Sequence, residues 1–323
     1  MEDPRILPFQ TPIQYFGKMG NSDLYIKRED RIFFSQGTKI RKLWGIYNSL
    51  VEKVGAENIR KIVLQGNLHS NAVLAGCLFF QWAKIPTKVF GYSRDINLKS
   101  PASILVRRFS ESEIFETRVN WLKKRESIAG NLKPVMLLSS PEISLDDYVL
   151  FESTKEKGIF YLPEYLFCSE SFSGLDLLWK ETTYSEFDSI FLDLGTGLTW
   201  LSALKHYSIL PPVYGLSLGL KLPKLRSWLE ERIQNLSFSL KPSWKNIFDA
   251  REIDPKNSYK FGEMDRFWEE LSKNYFKRSG IYFEPVYSAK SIRILELLIQ
   301  KEILKGKILY IHQGGILQSF TGI

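Results

Sequence analysis

At 323 residues, with 44% hydrophobic and 25% charged residues, the chain is long enough for one large domain or two packed lobes and has an ordinary soluble, globular composition. The formal charge of +8 does not mark a nucleic-acid binder, because Lys and Arg are spread among acidic residues rather than gathered in an arm; anionic small ligands explain it at least as well. Only two cysteines, Cys77 and Cys168, are present, which excludes a disulfide framework or a zinc spacing, and no apolar run reaches the length of a membrane span. The acidic start Met1-Glu2-Asp3 lacks the apolar core of a signal peptide, so a cytoplasmic protein with no membrane and no metal is expected.

An irregular lead-in containing Thr11-Pro12 precedes a strand over 23–30 that ends in the charged run Lys27-Arg28-Glu29-Asp30. An amphipathic helix then begins near Lys39 and runs to about Lys53, with Ile40, Leu43, Tyr47 and Leu50 on one face. The run 61–66 predicts a buried strand with a glycine stop, followed by the polar turn Asn67-Leu68-His69-Ser70-Asn71 and an apolar helix over 72–82. Next come a strand over 87–92, a helix near 101–109 and strands near 114–117 and 135–138. No element is predicted between 139 and 155. Strands at 159–162, 189–192 and 213–216 follow, with helices at 175–181 and from about Trp200. Charged helical regions over 222–233 and 264–276, a helix over 291–303 and a strand over 308–311 complete the chain. This alternation predicts an α/β protein with parallel sheets and crossover helices. With no repeat and no low-complexity linker, its lobes are expected to be tightly packed or interleaved.

Three stretches carry candidate chemistry. Gly37-Thr38-Lys39-Ile40-Arg41-Lys42 places three cations at a helix start, and Lys39 and Lys42, three apart, share a face. Helix-start N–H groups and positive potential make this an anion site, and crowded positive charge helps a lysine lose the proton that a Schiff-base nucleophile must lack. A plain solvated basic turn is the alternative. Gly195-Thr196-Gly197-Leu198-Thr199 lies between a strand and a helix, where glycines free backbone N–H groups for an anion and threonines add hydroxyls. It lacks the ending of a P-loop and the third glycine of a dinucleotide fingerprint, and it also reads as a tight turn. Ser70 and Asn71 sit at a strand C-terminus, where open α/β sheets place ligands, although both residues also favour helix caps. His69 reads as a packing residue rather than a base. The polar loops 284–288 and 312–315 are not singled out by chemistry alone.

Taken together and in order, these stretches resemble the D-cysteine desulfhydrase and 1-aminocyclopropane-1-carboxylate deaminase family of pyridoxal-phosphate enzymes. Thr11-Pro12 with Lys27-Arg28-Glu29-Asp30 is similar to its opening. Gly37-Thr38-Lys39-Ile40-Arg41-Lys42-Leu43 is similar to its cofactor-lysine segment, and Asn67-Leu68-His69-Ser70-Asn71 to its Ser-Asn turn. Pro285-Val286-Tyr287 and His312 with Gly314-Gly315 match its C-terminal landmarks. The resemblance implies the tryptophan synthase β-like fold, two three-layer open twisted sheets with helices on both faces. It implies a large cofactor-binding domain of 1–49 and 159–323, with a smaller inserted α/β domain of 50–158. Pyridoxal 5'-phosphate would be held as a Schiff base on Lys39. Lys42 and Gly195, Thr196, Gly197, Leu198 and Thr199 would hold its phosphate, Asn71 its ring oxygen, and Ser288 would lie near the ring nitrogen. Ser70 and Tyr287 would act on a small amino-acid substrate, in a homodimer.

Several positions depart from the family pattern. Thr38 replaces Asn and Leu198 a small polar residue, while Phe261 falls where a catalytic tyrosine is expected. The loop Pro163-Glu164-Tyr165-Leu166-Phe167-Cys168-Ser169 replaces a Gly-Gly-Ser loop and adds bulk. Ser288 stands where the cyclopropane-opening deaminases have a glutamate, which favours a D-cysteine desulfhydrase-like lyase over a deaminase of that kind. The alternatives are the deaminase activity itself, a non-catalytic binder of cofactor or amino acid, and an S-adenosylmethionine-dependent methyltransferase suggested by the strand and glycine loop at 191–197.

Overall fold

The computed structural model describes residues 10–135, 149–207, 211–236, 242–259, 262 and 265–319. In chain order, β1 (Ile13–Met19) and β2 (Ser22–Lys27) lead into α1 (Thr38–Val54), and β3 (Lys61–Asn67), α2 (Asn71–Trp82) and β4 (Thr87–Tyr92) follow. Then come α3 (Pro101–Phe109), β5 (Glu111–Phe115), α4 (Arg118–Ile128), β6 (Leu132–Pro134), β7 (Phe151–Ser153), β8 (Ile159–Tyr161) and α5 (Glu170–Lys180). The remainder is β9 (Ser189–Leu194), α6 (Leu198–His206), β10 (Val213–Ser217), α7 (Leu222–Asn235), β11 (Ile247–Asp249), α8 (Ala250–Ile253), α9 (Arg266–Ser279), α10 (Ser288–Gln300) and β12 (Lys307–Ile311).

These elements form two compact units. The first comprises Lys39–Leu175, and the second comprises Gln10–Thr38 with Asp176–Ser319. Each is built on one six-stranded sheet with helices on both faces. In the first unit the order is β5-β4-β3-β8-β7-β6, with β5, β4, β3 and β8 parallel and β7 and β6 antiparallel. In the second it is β1-β2-β12-β9-β10-β11, parallel except for the β1–β2 hairpin. Val63, Phe90, Tyr92 and Trp121 pack together in the first unit, and Phe191, Trp268, Phe283, Ile294 and Tyr310 belong to the large core of the second.

The sheets are therefore mixed rather than purely parallel, and the lead-in after Thr11-Pro12 is strand β1. Its alternation is broken by a bulge between Tyr15 and Gly17, which hides it from a period-two reading. Helix α4 has no apolar stripe to announce it: Trp121 is its one fully buried hydrophobic anchor, and the indole N–H donates to the Phe90 carbonyl at 3.0 Å. Strands β7 and β11, three residues each, are too short for periodicity to register. Of the expected strand at 135–138, Val135 lies just beyond β6, and 136–138 fall outside the described residues.

The charged end of β2 is scaffold. Lys27 Nζ lies 2.7 Å from the Thr11 carbonyl and 2.9 Å from Glu181, and the Thr11 hydroxyl donates to Glu29 at 2.5 Å. Arg28 makes a bidentate pair with Asp30 at 2.8 and 2.7 Å. All four charged residues are buried, a state that such pairing permits. The Thr-Pro segment and the charged run, apart in sequence, are thus one hydrogen-bonded cluster.

Candidate active site

In the first unit, helix α1 presents Lys39 and Lys42 one turn apart, Lys39 partly exposed and Lys42 buried. Ile40, Leu43, Ile46 and Leu50 are fully buried and fix the rotation of the helix. Contact with α5 fixes its depth. A β carbon on Gly45 would stand 2.3 Å from the Glu170 carbonyl oxygen, and one on Gly174 would fall on the backbone of Arg41, so only glycines allow this approach. Burial, reinforced by the neighbouring Lys39, lowers the Lys42 amine to about 7. No carboxylate pairs with Lys42 among the described residues. A buried amine beside a second amine, with no counter-ion, is a place prepared for an anion.

The turn from β3 to α2 holds the other predicted pair. Ser70 is the N-cap of α2, its hydroxyl oxygen accepting the Ala72 N–H at 3.1 Å. Its own O–H proton is not used by that bond. Asn71 opens the helix, and its buried Oδ1 has no hydrogen-bond partner. His69 is held by its turn: its backbone N–H donates to Asn67 Oδ1 at 2.8 Å, and its ring nitrogens lie 2.7 Å from the Ser100 hydroxyl and 3.0 Å from that of Ser93. Burial lowers its pKa, as suits a packing residue.

In the second unit, β9 runs into Gly195-Thr196-Gly197 and α6. Gly197 is the N-cap at φ +83°, and a β carbon there would meet the Leu229 side chain at 2.3 Å. No side chain caps this helix. The Thr199 hydroxyl is buried without a partner, Leu198 is fully buried and offers only its backbone, and a β carbon on Gly195 would meet open space. Unsatisfied N–H groups, an unused hydroxyl and room beside them are the ingredients of an anion cradle.

Beside α10 lies a residue that the sequence reading missed. Glu284 is buried, and its carboxylate accepts the backbone N–H groups of Val286, Tyr287 and Ser288 at 2.7–2.9 Å, capping the helix. Burial pushes its pKa up to about 7 against those stabilising donors. Tyr287 is partly buried, and burial, then Glu284, raises its phenol. Ser288 is buried, with its hydroxyl 3.3 Å from the Glu284 carbonyl oxygen. Glu284 stands four residues before Ser288, a capping distance that could have been read.

Also missed was the clamp that aims the chain into α1. Gly37 has φ +57°, and a β carbon there would overlap the Gln313 carbonyl. Thr38 N–H donates to that carbonyl at 3.3 Å, and Gly315 N–H donates to the Ser35 carbonyl at 2.6 Å. Gln313 and Gly315 therefore hold the chain at Ser35, Gly37 and Thr38, just before Lys39. Phe261, expected in place of a catalytic tyrosine, lies outside the described residues.

No family model matches the chain. A Pyrococcus horikoshii protein provisionally named 1-aminocyclopropane-1-carboxylate deaminase is 28% identical over 98% of this chain and 93% of its own length. The crystal structure of an ACC deaminase homologue superposes with a TM-score of 0.68 at 22% identity, covering 97% of this chain and 91% of that one. A hydrogen sulfide-producing enzyme from Fusobacterium nucleatum superposes at 0.63 with 14% identity, covering 97% and 96%. At those identities the solved structures show the fold, and the similarity to the Pyrococcus protein runs nearly end to end. Two mixed six-stranded sheets and collinear similarity over nearly the whole length make the chain similar, end to end, to proteins named for 1-aminocyclopropane-1-carboxylate deaminase, with the fold of an ACC deaminase homologue.

Proposed function

We propose that this protein is a pyridoxal-phosphate-dependent lyase or deaminase of a small amino acid, D-cysteine desulfhydrase-like, releasing a keto acid, ammonia and, from a thiol substrate, sulfide. The observation that carries the reading is Lys42, a buried amine next to Lys39 with no carboxylate partner among the described residues. The uncapped start of α6 and the unpartnered Thr199 hydroxyl fit a phosphate, and the unpartnered Asn71 amide oxygen fits a polar ring substituent. The donor set therefore suits this cofactor.

Pyridoxal phosphate, when bound, supplies an aldehyde that condenses with amines and a ring that accepts the electron pair of a bond broken at the amino acid's α carbon. Lys39 Nζ would hold the cofactor covalently and would serve as the base for the substrate's α proton. Lys42 Nζ and the N–H groups of Gly195, Thr196, Gly197, Leu198 and Thr199 would hold the phosphate, with the Thr199 hydroxyl as a further donor. Asn71 would orient the ring oxygen, Ser70 Oγ the substrate carboxylate, and the Tyr287 hydroxyl would work beside the substrate. Ser288, hydrogen-bonded to the Glu284 backbone, would offer the ring nitrogen a neutral hydroxyl.

The provisional name of the Pyrococcus relative favours a second reading, cyclopropane-ring opening of 1-aminocyclopropane-1-carboxylate. The test of both is the absorbance of the purified protein with added cofactor, followed by ammonia and sulfide release from D- and L-cysteine, D- and L-serine and 1-aminocyclopropane-1-carboxylate. A wild type that stays colourless contradicts both readings. A coloured protein that turns over none of the panel points to a cofactor-binding, non-catalytic member. A cytoplasmic homodimer belongs to the same proposal, with light scattering of the purified protein as its check.

A further inference from the structure

Glu164, Tyr165 and Arg118, all in the first unit, have no part in the roles assigned above. Tyr165 and Leu166 are consecutive non-glycine residues in the left-handed region, at φ +63° and +57°. Side chains with a β carbon rarely adopt it, and two in a row persist only where the surroundings impose them. The surroundings here are a hydrogen-bonded cluster. The buried Glu164 carboxylate accepts the Tyr92 hydroxyl at 2.7 Å through one oxygen and Arg118 Nη2 at 2.8 Å through the other. The Tyr165 hydroxyl joins the same network through Tyr92 and Glu164. Burial, then Glu164, raises the Tyr165 phenol to about 12, so it stays a neutral donor at any working pH.

The position of the cluster gives it meaning. Tyr92 ends β4, Arg118 begins the helix after β5, and Glu164 follows β8, so all three lie at the C-terminal edge of the parallel strands. Ser70 and Asn71 follow β3 at that same edge, where such sheets bind ligands. Glu164 Cγ lies 3.4 Å from where a β carbon on Gly66 would stand, and Tyr165 lines, with Ala72 and Val73, a gap too small to hold a water molecule. The strained tyrosine has filled the space against the first turn of α2.

We propose that Tyr165, anchored by Glu164, Tyr92 and Arg118, is the specificity-determining side chain of the substrate end, closing the space beside Ser70 and Asn71 so that only amino acids with short side chains are accepted. This rests on the functional reading above. A filled apolar wall discriminates by roughly tenfold or more per added methylene.

The test is a set of dissociation constants for alanine, 2-aminobutyrate, norvaline and norleucine, each as D and L isomers, read from the absorbance change of the bound cofactor. Wild type should bind more weakly by about tenfold or more for each methylene added. Tyr165→Gly suits the left-handed backbone and opens the space; it should reduce that fall to about threefold or less with alanine binding little changed. Tyr165→Asn, also at ease in that backbone region, should do the same if the glycine variant folds poorly. An undiminished dependence on side-chain length in both variants, or none in wild type, overturns the inference. A wild type that takes up no cofactor takes down the functional reading and this inference together; a coloured wild type with an unchanged length profile in the variants takes down this inference alone.

Discussion

In the first unit the helix after β3 starts on Ser70, whose hydroxyl oxygen takes the Ala72 N–H, whereas in the second the helix after β9 starts on a left-handed glycine that no side chain caps. The first turn satisfies its own backbone. The second has no side-chain cap, and its Thr199 hydroxyl is buried without a hydrogen-bond partner among the described residues. A helix start that one serine could have capped, and that has no side-chain cap, leaves N–H groups suited to the negatively charged ligand proposed above. Lys42 follows the same logic from the cationic side, as a buried amine lacking a counter-ion.

The largest effect expected concerns the amines. Lys39→Ala should abolish the absorbance of the bound cofactor and lower turnover by on the order of a thousandfold or more, whereas the same change at an exposed lysine such as Lys53 should do neither. Lys42→Met should weaken phosphate and cofactor binding while stabilising the anion-free protein by about 1–3 kcal/mol at neutral pH, measured by urea unfolding. Its pH dependence has a definite sign. The folded value near 7 lies below the ordinary lysine value of 10.5, so between those limits the unfolded chain holds a proton that the folded chain has lost. Stability of the anion-free wild type should therefore rise with pH across that window. Lys42→Met should flatten the rise, and saturating phosphate, which favours the charged amine, should reduce it.

Two smaller substitutions sharpen the contrast between the turns. Ser70→Ala removes a cap and should cost about 1 kcal/mol of stability without changing phosphate affinity. Thr199→Val removes a hydroxyl that has no hydrogen-bond partner among the described residues. It should leave the free protein within about 0.5 kcal/mol of wild type yet weaken phosphate binding roughly fivefold to tenfold. Equal responses at the two positions, by thermal melts with and without phosphate, would erase the distinction between a capped and a reserved helix start.

The sequence made the lysine pair, the Ser-Asn turn and the 195–199 loop visible because each puts special residues at a strand or helix boundary, where composition and position act together. Long crossover elements such as α2, β4 and α3 were legible from apolar runs and from Pro101 at a helix start. Clustering across the sheet was not legible. Nothing local announces that Thr11 satisfies Lys27 and Glu29, that Gln313 receives the Thr38 amide, or that Glu164 gathers Tyr92 and Arg118. A lowered amine at the lysine pair was foreseeable, but that Lys42 is the buried one depends on the rotation of α1, set by its buried face of Ile40, Leu43, Ile46 and Leu50.

Lys42, its amine lowered to about 7, has the means to act as a nucleophile near neutral pH and so competes with Lys39 for the aldehyde. Borohydride reduction of the protein loaded with pyridoxal phosphate, followed by peptide mass spectrometry, locates the modified lysine directly. The account predicts the phosphopyridoxyl mass on Lys39 with Lys42 unmodified; the same mass on Lys42, or on neither residue, would contradict it.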